Sequence, residues 1–381
     1  MAAYHCAKAG LTTLLVEKDL APRDKCCAGG LLGRAEGLLD FPVPKEIIRR
    51  RIDSIGITVD GTREEVPTGR STAATIDRGE FDQYLTNKAG DVGAEVILGR
   101  KVGSISEQDE RVIVRVGDME VRCRSAIVAE GVASHNANKL FGPKPSGYLA
   151  VGARAKFTTK DQLPDSLDFY FIDTPTKGIQ FGRRFPVNGW MFPGMDGGNI
   201  GVCGTGLGRG TIEHHLQRIE SDMGHQGISI SRGPTATWPV PFRPRKRLVS
   251  RRCVAIGDAA GFASPLSGEG MTYAFRSGRF ASDSIKELLN GDANDLRGYS
   301  RSCQDSIVRD IRAASLIGPV LHWLIGVVDT KHFFSVIREY DDLMGTMVNI
   351  ALGDQDWRSL ALQTIPDFLP LFLSSLPSDK A

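Results

Sequence analysis

Apolar positions recur along the chain with several different periods. Apolar runs at 14–16 and 253–256, and 126–131 ending in an acid and a glycine, read as buried strands. Residues 2–9 form a helix-favouring run of small residues, and Gly10 fits the position just past a helix end. In 77–94, Phe81, Leu85 and Ala89 fall on one face and predict a helix. Residues 53–66 alternate in the manner of strands, and 94–98 and 112–116 read as strands. Between Tyr148 and Phe242 short strand-like runs follow one another at 150–157, 167–172, 178–186, 190–193 and 199–203. After about residue 290 the pattern is mainly helical, and the apolar, proline-interrupted stretch from Thr364 predicts an irregular tail. The expected fold class is α/β (α+β overall): a Rossmann-like lobe in two parts, 1–147 and 248–292, an antiparallel-sheet substrate lobe inserted at 148–247, and a helical region at 293–381.

The beginning of the pattern is incomplete. A helix and the strand 14–16, ended by Glu17 and followed by Lys18, look like the second half of a βαβ unit. An acid at that point takes the ribose hydroxyls of an adenosine. The strand and GxGxxG that come first in such a unit are not in the sequence. Two readings stand: a fragment or misassigned start, or a protein without the pyrophosphate cradle, which would then be inactive.

The 381 residues suffice for a large core and more than one lobe. A net charge of +2 gives no long-range field for nucleic acid. Basic residues do cluster at 243–252, as a solvated loop or as a contact for phospholipid headgroups or an acidic redox partner. The seven cysteines show no CxxC pair and no zinc spacing, which suggests a reducing, cytoplasmic setting. No apolar stretch reaches the ~20 residues that span a bilayer. The nearest, 316–328, is interrupted by Pro319 and reads as a buried helix pair or a face that dips into the membrane interface.

The chemistry concentrates in 252–276. The strand 253–256 ends at Gly257-Asp258, a small-residue loop follows, and Gly268-Glu269-Gly270 opens a helix from about Met271. A carboxylate at a strand end accepts bonds from sugar-type hydroxyls. Glycines let the backbone come close, and a helix N-terminus offers N–H groups and a positive dipole end. The segment closely resembles the second FAD-binding motif of the glutathione-reductase-type flavoproteins, the branch that includes aromatic hydroxylases and geranylgeranyl reductases. The resemblance implies that Asp258 holds the flavin ribityl chain, with Gly257, Gly268, Gly270 and Met271 around it. It implies that Glu17 and Lys18 meet the adenosine and that Arg78, at a helix start, approaches the flavin. Glu130-Gly131 resembles the Asp-Gly strand end of the same proteins, with the acid one methylene longer.

Two further motifs narrow the family. Lys25-Cys26-Cys27-Ala28-Gly29-Gly30 resembles the Cys-Gly-Gly loop of geranylgeranyl reductases, with Ala28 in place of a glycine. Gly189-Trp190-Met191-Phe192-Pro193 with Asn199-Ile200-Gly201-Val202 resembles their tryptophan–phenylalanine–proline signature. The resemblance covers residues 1 to about 300. It implies FAD-dependent reduction of isolated C=C bonds in a prenyl chain. Cys26, Cys27, Trp190 and Phe192 would be at the reacting end, and NAD(P)H or a reduced ferredoxin-like protein would be the transient electron donor. The implied substrate is a prenyl-chain lipid, met by peripheral contact on the inner membrane face. An aromatic monooxygenase or halogenase is the alternative on the same scaffold, but the chain has Gly-Trp-Met-Phe-Pro where a tryptophan halogenase carries Trp-x-Trp-x-Ile-Pro.

Overall fold

The computed structural model describes residues 1–69, 72–172 and 186–327, together with Phe334 and Trp357. The expected strand at 178–186, all but its last residue, and the tail from Thr364 lie outside the described residues.

Two parallel strand pairs form the core of the part expected to be Rossmann-like. Leu14–Val16 pairs with Glu95–Ile97, and Ala126–Val128 pairs with Cys253–Ala255. The second pair is the better buried, with Cys253, Val254 and Ala255 completely covered. Helices His135–Phe141, Met271–Asn290 and Arg297–Cys303 supply the apolar side chains of that core. Tyr299 also donates its hydroxyl to the Ala255 carbonyl. The predicted helix near 77–94 runs Arg78–Asp91. Asp77 caps it, accepting from the amides of Gly79 and Glu80, and it buries the Phe81, Leu85 and Ala89 face.

The substrate sheet differs from the expected one. It has seven strands in the order Ser231–Pro241, Leu149–Thr158, Gly197–Gly204, Asn188–Pro193, Ser166–Phe171, Ser54–Val59, Thr62–Pro67. It is therefore not confined to 148–247, because a hairpin from the first part of the chain extends it. Nor is it wholly antiparallel, since Ser166–Phe171 and Ser54–Val59 run parallel. A half-buried ion pair sits at that junction: Arg63 donates to both oxygens of the fully buried Asp168, at 2.8 and 3.0 Å. Residue 56 opposite has no room for a side chain, since a Cβ there would lie 2.0 Å from Asp168 Oδ1.

One element escaped the reading by alternation. Helix Arg209–His225 packs Ile212, Leu216, Ile219 and Met223 onto one face of the sheet, against Met191, Ile200 and Val202. Their i, i+4, i+7, i+11 spacing was its signal. The opposite face of the sheet carries Trp190, Phe192, Phe169 and Phe171. It is covered in part by helix Arg309–Val327, one continuous helix through Pro319 rather than a pair. Asp310 ties that helix down, accepting from the Tyr273 hydroxyl at 2.6 Å. No helix among the described residues is long and apolar enough to cross a membrane.

Candidate active site

The aromatic face of the sheet, the loop 26–30 and the C-terminal ends of both parallel pairs line one cavity of ≈ 2210 Å³. Ordinary small-molecule sites run to about 1,000 Å³. The space therefore admits a large cofactor and a second molecule together.

At one end lies the strand–acid–glycine arrangement. Asp258 follows strand Cys253–Ala255, is partly exposed to the cavity and faces Lys25 at 3.7 Å. Helix Met271–Asn290 begins beside it. A Cβ on Gly270 would stand 3.8 Å from Asp258 Oδ1 and fill the cradle between carboxylate and helix start. Gly268 reaches this position through a left-handed backbone, φ +70°. One amide of the helix start is taken, because Glu269 accepts from Thr272 N–H at 2.6 Å, and burial pushes the Glu269 carboxyl up. Glu17 ends the strand of the other parallel pair, on the same cavity, with Lys18 beside it. Carboxylates at two strand ends, a bare glycine and a helix start match the needs of a cofactor rich in hydroxyls and phosphates, so the residues fit FAD.

Glu130 is occupied locally. Its carboxylate accepts from Ser134 at 2.5 Å and Asn136 at 2.8 Å, at the start of helix His135–Phe141. Arg78 keeps its place on the cavity, but its guanidinium is bound to Asp82 at 2.9–3.1 Å and to Cys27 Sγ at 3.4 Å.

The two family-like motifs meet. In the antiparallel register Trp190 lies directly opposite Gly201 and Phe192 opposite Asn199. Trp190 Nε1 donates to Asn199 Oδ1 at 2.7 Å, and Asn199 Nδ2 donates to the Ala28 carbonyl at 2.8 Å. One amide side chain thus links the aromatic strand to the cysteine loop, across 171 residues of sequence. Contact is also direct, since a Cβ on Gly30 would meet Phe192 Cε2 at 2.9 Å. Trp190 and Phe192, two residues apart on a strand, share one face, as alternation requires.

The two thiols differ. Cys26 donates to the Ala236 carbonyl at 3.3 Å, and burial pushes its pKa up. Cys27 is an acceptor, taking the Arg78 bond and an amide bond from Gly29 at 3.4 Å. Residues that the sequence reading passed over include Phe169 and Phe171, which continue the aromatic wall, and Trp238 on the cavity rim. Phe169 and Phe171 carry the same two-residue spacing that singled out Trp190 and Phe192. Several arginines of the basic stretch 243–252 are committed to the protein's own backbone, while Lys246, Arg247 and Arg251 are exposed. Arg245 donates to Ala259 and Gly142, Arg247 to Leu140 and Arg252 to Arg124, all at backbone carbonyls.

A mixed α/β core with paired parallel strands, a large sheet lobe and this cavity define an FAD-dependent oxidoreductase fold. No family model matches the chain. It is similar to the geranylgeranyl diphosphate reductase of Rhodobacter capsulatus, 28% identical over 307 residues, which are 78% of this chain and 74% of that protein. It is similar also to the menaquinone reductase of Mycobacterium tuberculosis, 29% identical over 321 residues, covering 77% and 74% of the two chains. Among solved structures, a geranylgeranyl bacteriochlorophyll reductase-like protein from Thermoplasma acidophilum shares the fold. It has a TM-score of 0.76 at 19% identity, over 98% of this chain and 94% of that one. The chain is thus similar to geranylgeranyl reductases and shares the fold of FAD-dependent oxidoreductases.

Proposed function

We propose that the protein binds FAD in the large cavity and reduces isolated C=C bonds of a prenyl chain carried by a lipid or a prenylated precursor. The observation that supports this reading most is the Asn199 bridge, which brings the cysteine loop and the aromatic strand to one wall of the cavity. The homology to reductases with prenylated substrates in their names points the same way.

In this reading Asp258, Gly257, Gly268, Gly270 and Met271 hold the flavin side of the cofactor, and Glu17 and Lys18 hold the adenosine. Arg78 anchors the loop between them through Cys27. Reduced FAD, when bound, supplies a hydride. An isolated alkene has no electron-withdrawing partner to activate it, so the protein's task is positioning, water exclusion and delivery of a proton. Trp190, Phe192, Phe169 and Phe171 exclude water and align the chain. Binding of remote prenyl units then sets the position of the reacting bond. Cys26, held in its thiol form by burial, retains a proton beside this wall, and Cys27 orients the loop against Arg78. The electron donor is NAD(P)H or a ferredoxin-like protein, and the apolar C-terminal segments make peripheral membrane contact.

The test is anaerobic. The protein is loaded with FAD, reduced with dithionite and given a geranylgeranyl lipid, a prenylated quinone or geranylgeranyl diphosphate. A gain of two hydrogens per reduced bond, read by mass spectrometry, is the expected result. A flavin-loaded, reduced protein that leaves all three unchanged would refute the reading. Oxygen uptake with a phenolic substrate would place the protein among the monooxygenases.

A further inference from the structure

Behind the cysteine loop lies a second cleft of ≈ 770 Å³. That is within the range of about 300–1,000 Å³ typical of small-molecule sites. The loop separates it from the large cavity, so Lys25, Cys27 and Arg78 line both. On one side is strand Leu149–Thr158, which contributes Arg154 and Lys156 to the cleft. On the other is the turn 193–198, with Gly194, Gly197 and Gly198.

Arg154 is placed unusually for a surface cleft. Its side chain is only 9% exposed. Nη1 donates to the Lys25 carbonyl at 3.2 Å, and Nη2 reaches Asp24 at 3.3 and 3.4 Å. Its Nε–H is buried and has no partner among the described residues. Asp24 is 72% exposed, so the counter-ion is solvated and loosely held. The neighbouring cation, Lys156, is largely exposed. Lys156 lies 3.5 Å from Asp77, whose carboxylate is already committed to capping a helix. A buried guanidinium with an unmet N–H and a loose partner is costly, and an arriving anion offsets that cost.

We propose that this cleft binds the phosphate groups of a phosphate-bearing ligand, with Arg154 and Lys156 as its principal contacts. The two residues stand two apart on one strand, so they share a face and lie about 6.6 Å apart along it. That spacing suits a diphosphate better than a single carboxylate. Asp24, Asp77 and Asp196 also face the cleft. Asp24 swings into solvent as the anion replaces it on Arg154, while Asp77 remains on its helix. Two ligands carry this chemistry: the headgroup of a prenyl diphosphate and the pyrophosphate bridge of a nicotinamide dinucleotide. The inference goes beyond the reductase reading and requires neither bound FAD nor alkene reduction.

The experiment is calorimetric titration of the full chain at fixed ionic strength, with inorganic pyrophosphate, geranylgeranyl diphosphate and NADPH in turn. Wild type is compared with Lys156→Gln and Arg154→Gln. The Lys156 side chain is 59% exposed, so its variant keeps the test valid even where loss of Arg154 impairs folding. Pyrophosphate should bind wild type and lose roughly tenfold in Lys156→Gln, the loss expected for one charge-assisted contact. A parallel loss for geranylgeranyl diphosphate with NADPH unchanged assigns the site to the substrate headgroup, and the converse assigns it to the dinucleotide. Equal pyrophosphate affinity in wild type and Lys156→Gln, or no pyrophosphate binding by wild type, would overturn the proposal.

Discussion

Gly201→Ala is the smallest change that should disrupt the aromatic wall. Gly201 lies opposite Trp190 in the register, and the indole lies across it. A Cβ at 201 would stand 2.0 Å from Trp190 Cζ2, 2.4 Å from Cη2 and 2.4 Å from the Ala153 carbonyl oxygen. The carbonyl belongs to a central strand paired on both sides and cannot retreat. The indole must therefore move. Its bond to Asn199 then breaks, and the hold of Asn199 on the Ala28 carbonyl loosens with it. Overpacking costs about 1–3 kcal/mol and the lost hydrogen bond about 1 kcal/mol, so the variant should be roughly 2–4 kcal/mol less stable. In a chain this size that lowers Tm by roughly 4–8 °C, taking about 2 °C per kcal/mol. The assay pairs thermal melting with prenyl reduction and FAD content. Prenyl reduction should fall more than FAD content, because the cofactor cradle around Asp258 is built from other elements. A variant that melts within about 1 °C of wild type and reduces prenyl substrate normally would refute the packing argument.

Three further outcomes are expected. Asp258→Ala should lower FAD occupancy on purification while leaving the fold intact, and undiminished flavin absorbance would count against the cradle. Cys26, whose thiol burial pushes up, should alkylate with iodoacetamide more slowly at pH 8 than a free thiol, because less of it is thiolate. Peptide mapping reads this directly, and a rate equal to that of free cysteine would contradict it. Asp168→Ala strips the partly buried Arg63 of its principal partner and should destabilise by about 2–3 kcal/mol, with a matching fall in urea midpoint. A loss below about 1 kcal/mol would mean that Glu65, which also pairs with Arg63, compensates alone.

Much of the strand–acid–glycine arrangement around Asp258 was legible along the chain because its logic is local. A buried strand, the acid after it, the glycines and the helix start are consecutive residues, and their backbone geometry follows from their own chemistry. The helix 78–91 and the burial of 253–255 were readable for the same reason, since period and composition report which face is covered. The mixed sheet was not. The parallel junction of Ser54–Val59 with Ser166–Phe171 joins segments more than a hundred residues apart, with the Arg63–Asp168 pair across it. Helix Arg209–His225 has a helical period, yet it sits among strand-like runs that drew the eye to alternation.

The sequence by itself determined the residue types at the site: an acid and glycines for a cofactor, a cysteine loop, and aromatics alternating on a strand. Tertiary structure alone decided which of them act together. Asn199 joins the Trp190 strand to the Ala28 loop, Gly30 makes room for Phe192, and Arg78 is held by Asp82 and Cys27. It also turned Arg154 inward to a second cleft and tied Arg245, Arg247 and Arg252 to backbone carbonyls. The physical reason is that hydrogen bonds and steric exclusion act over a few ångströms in space. Sequence spacing specifies that proximity only within a single helix, strand or turn.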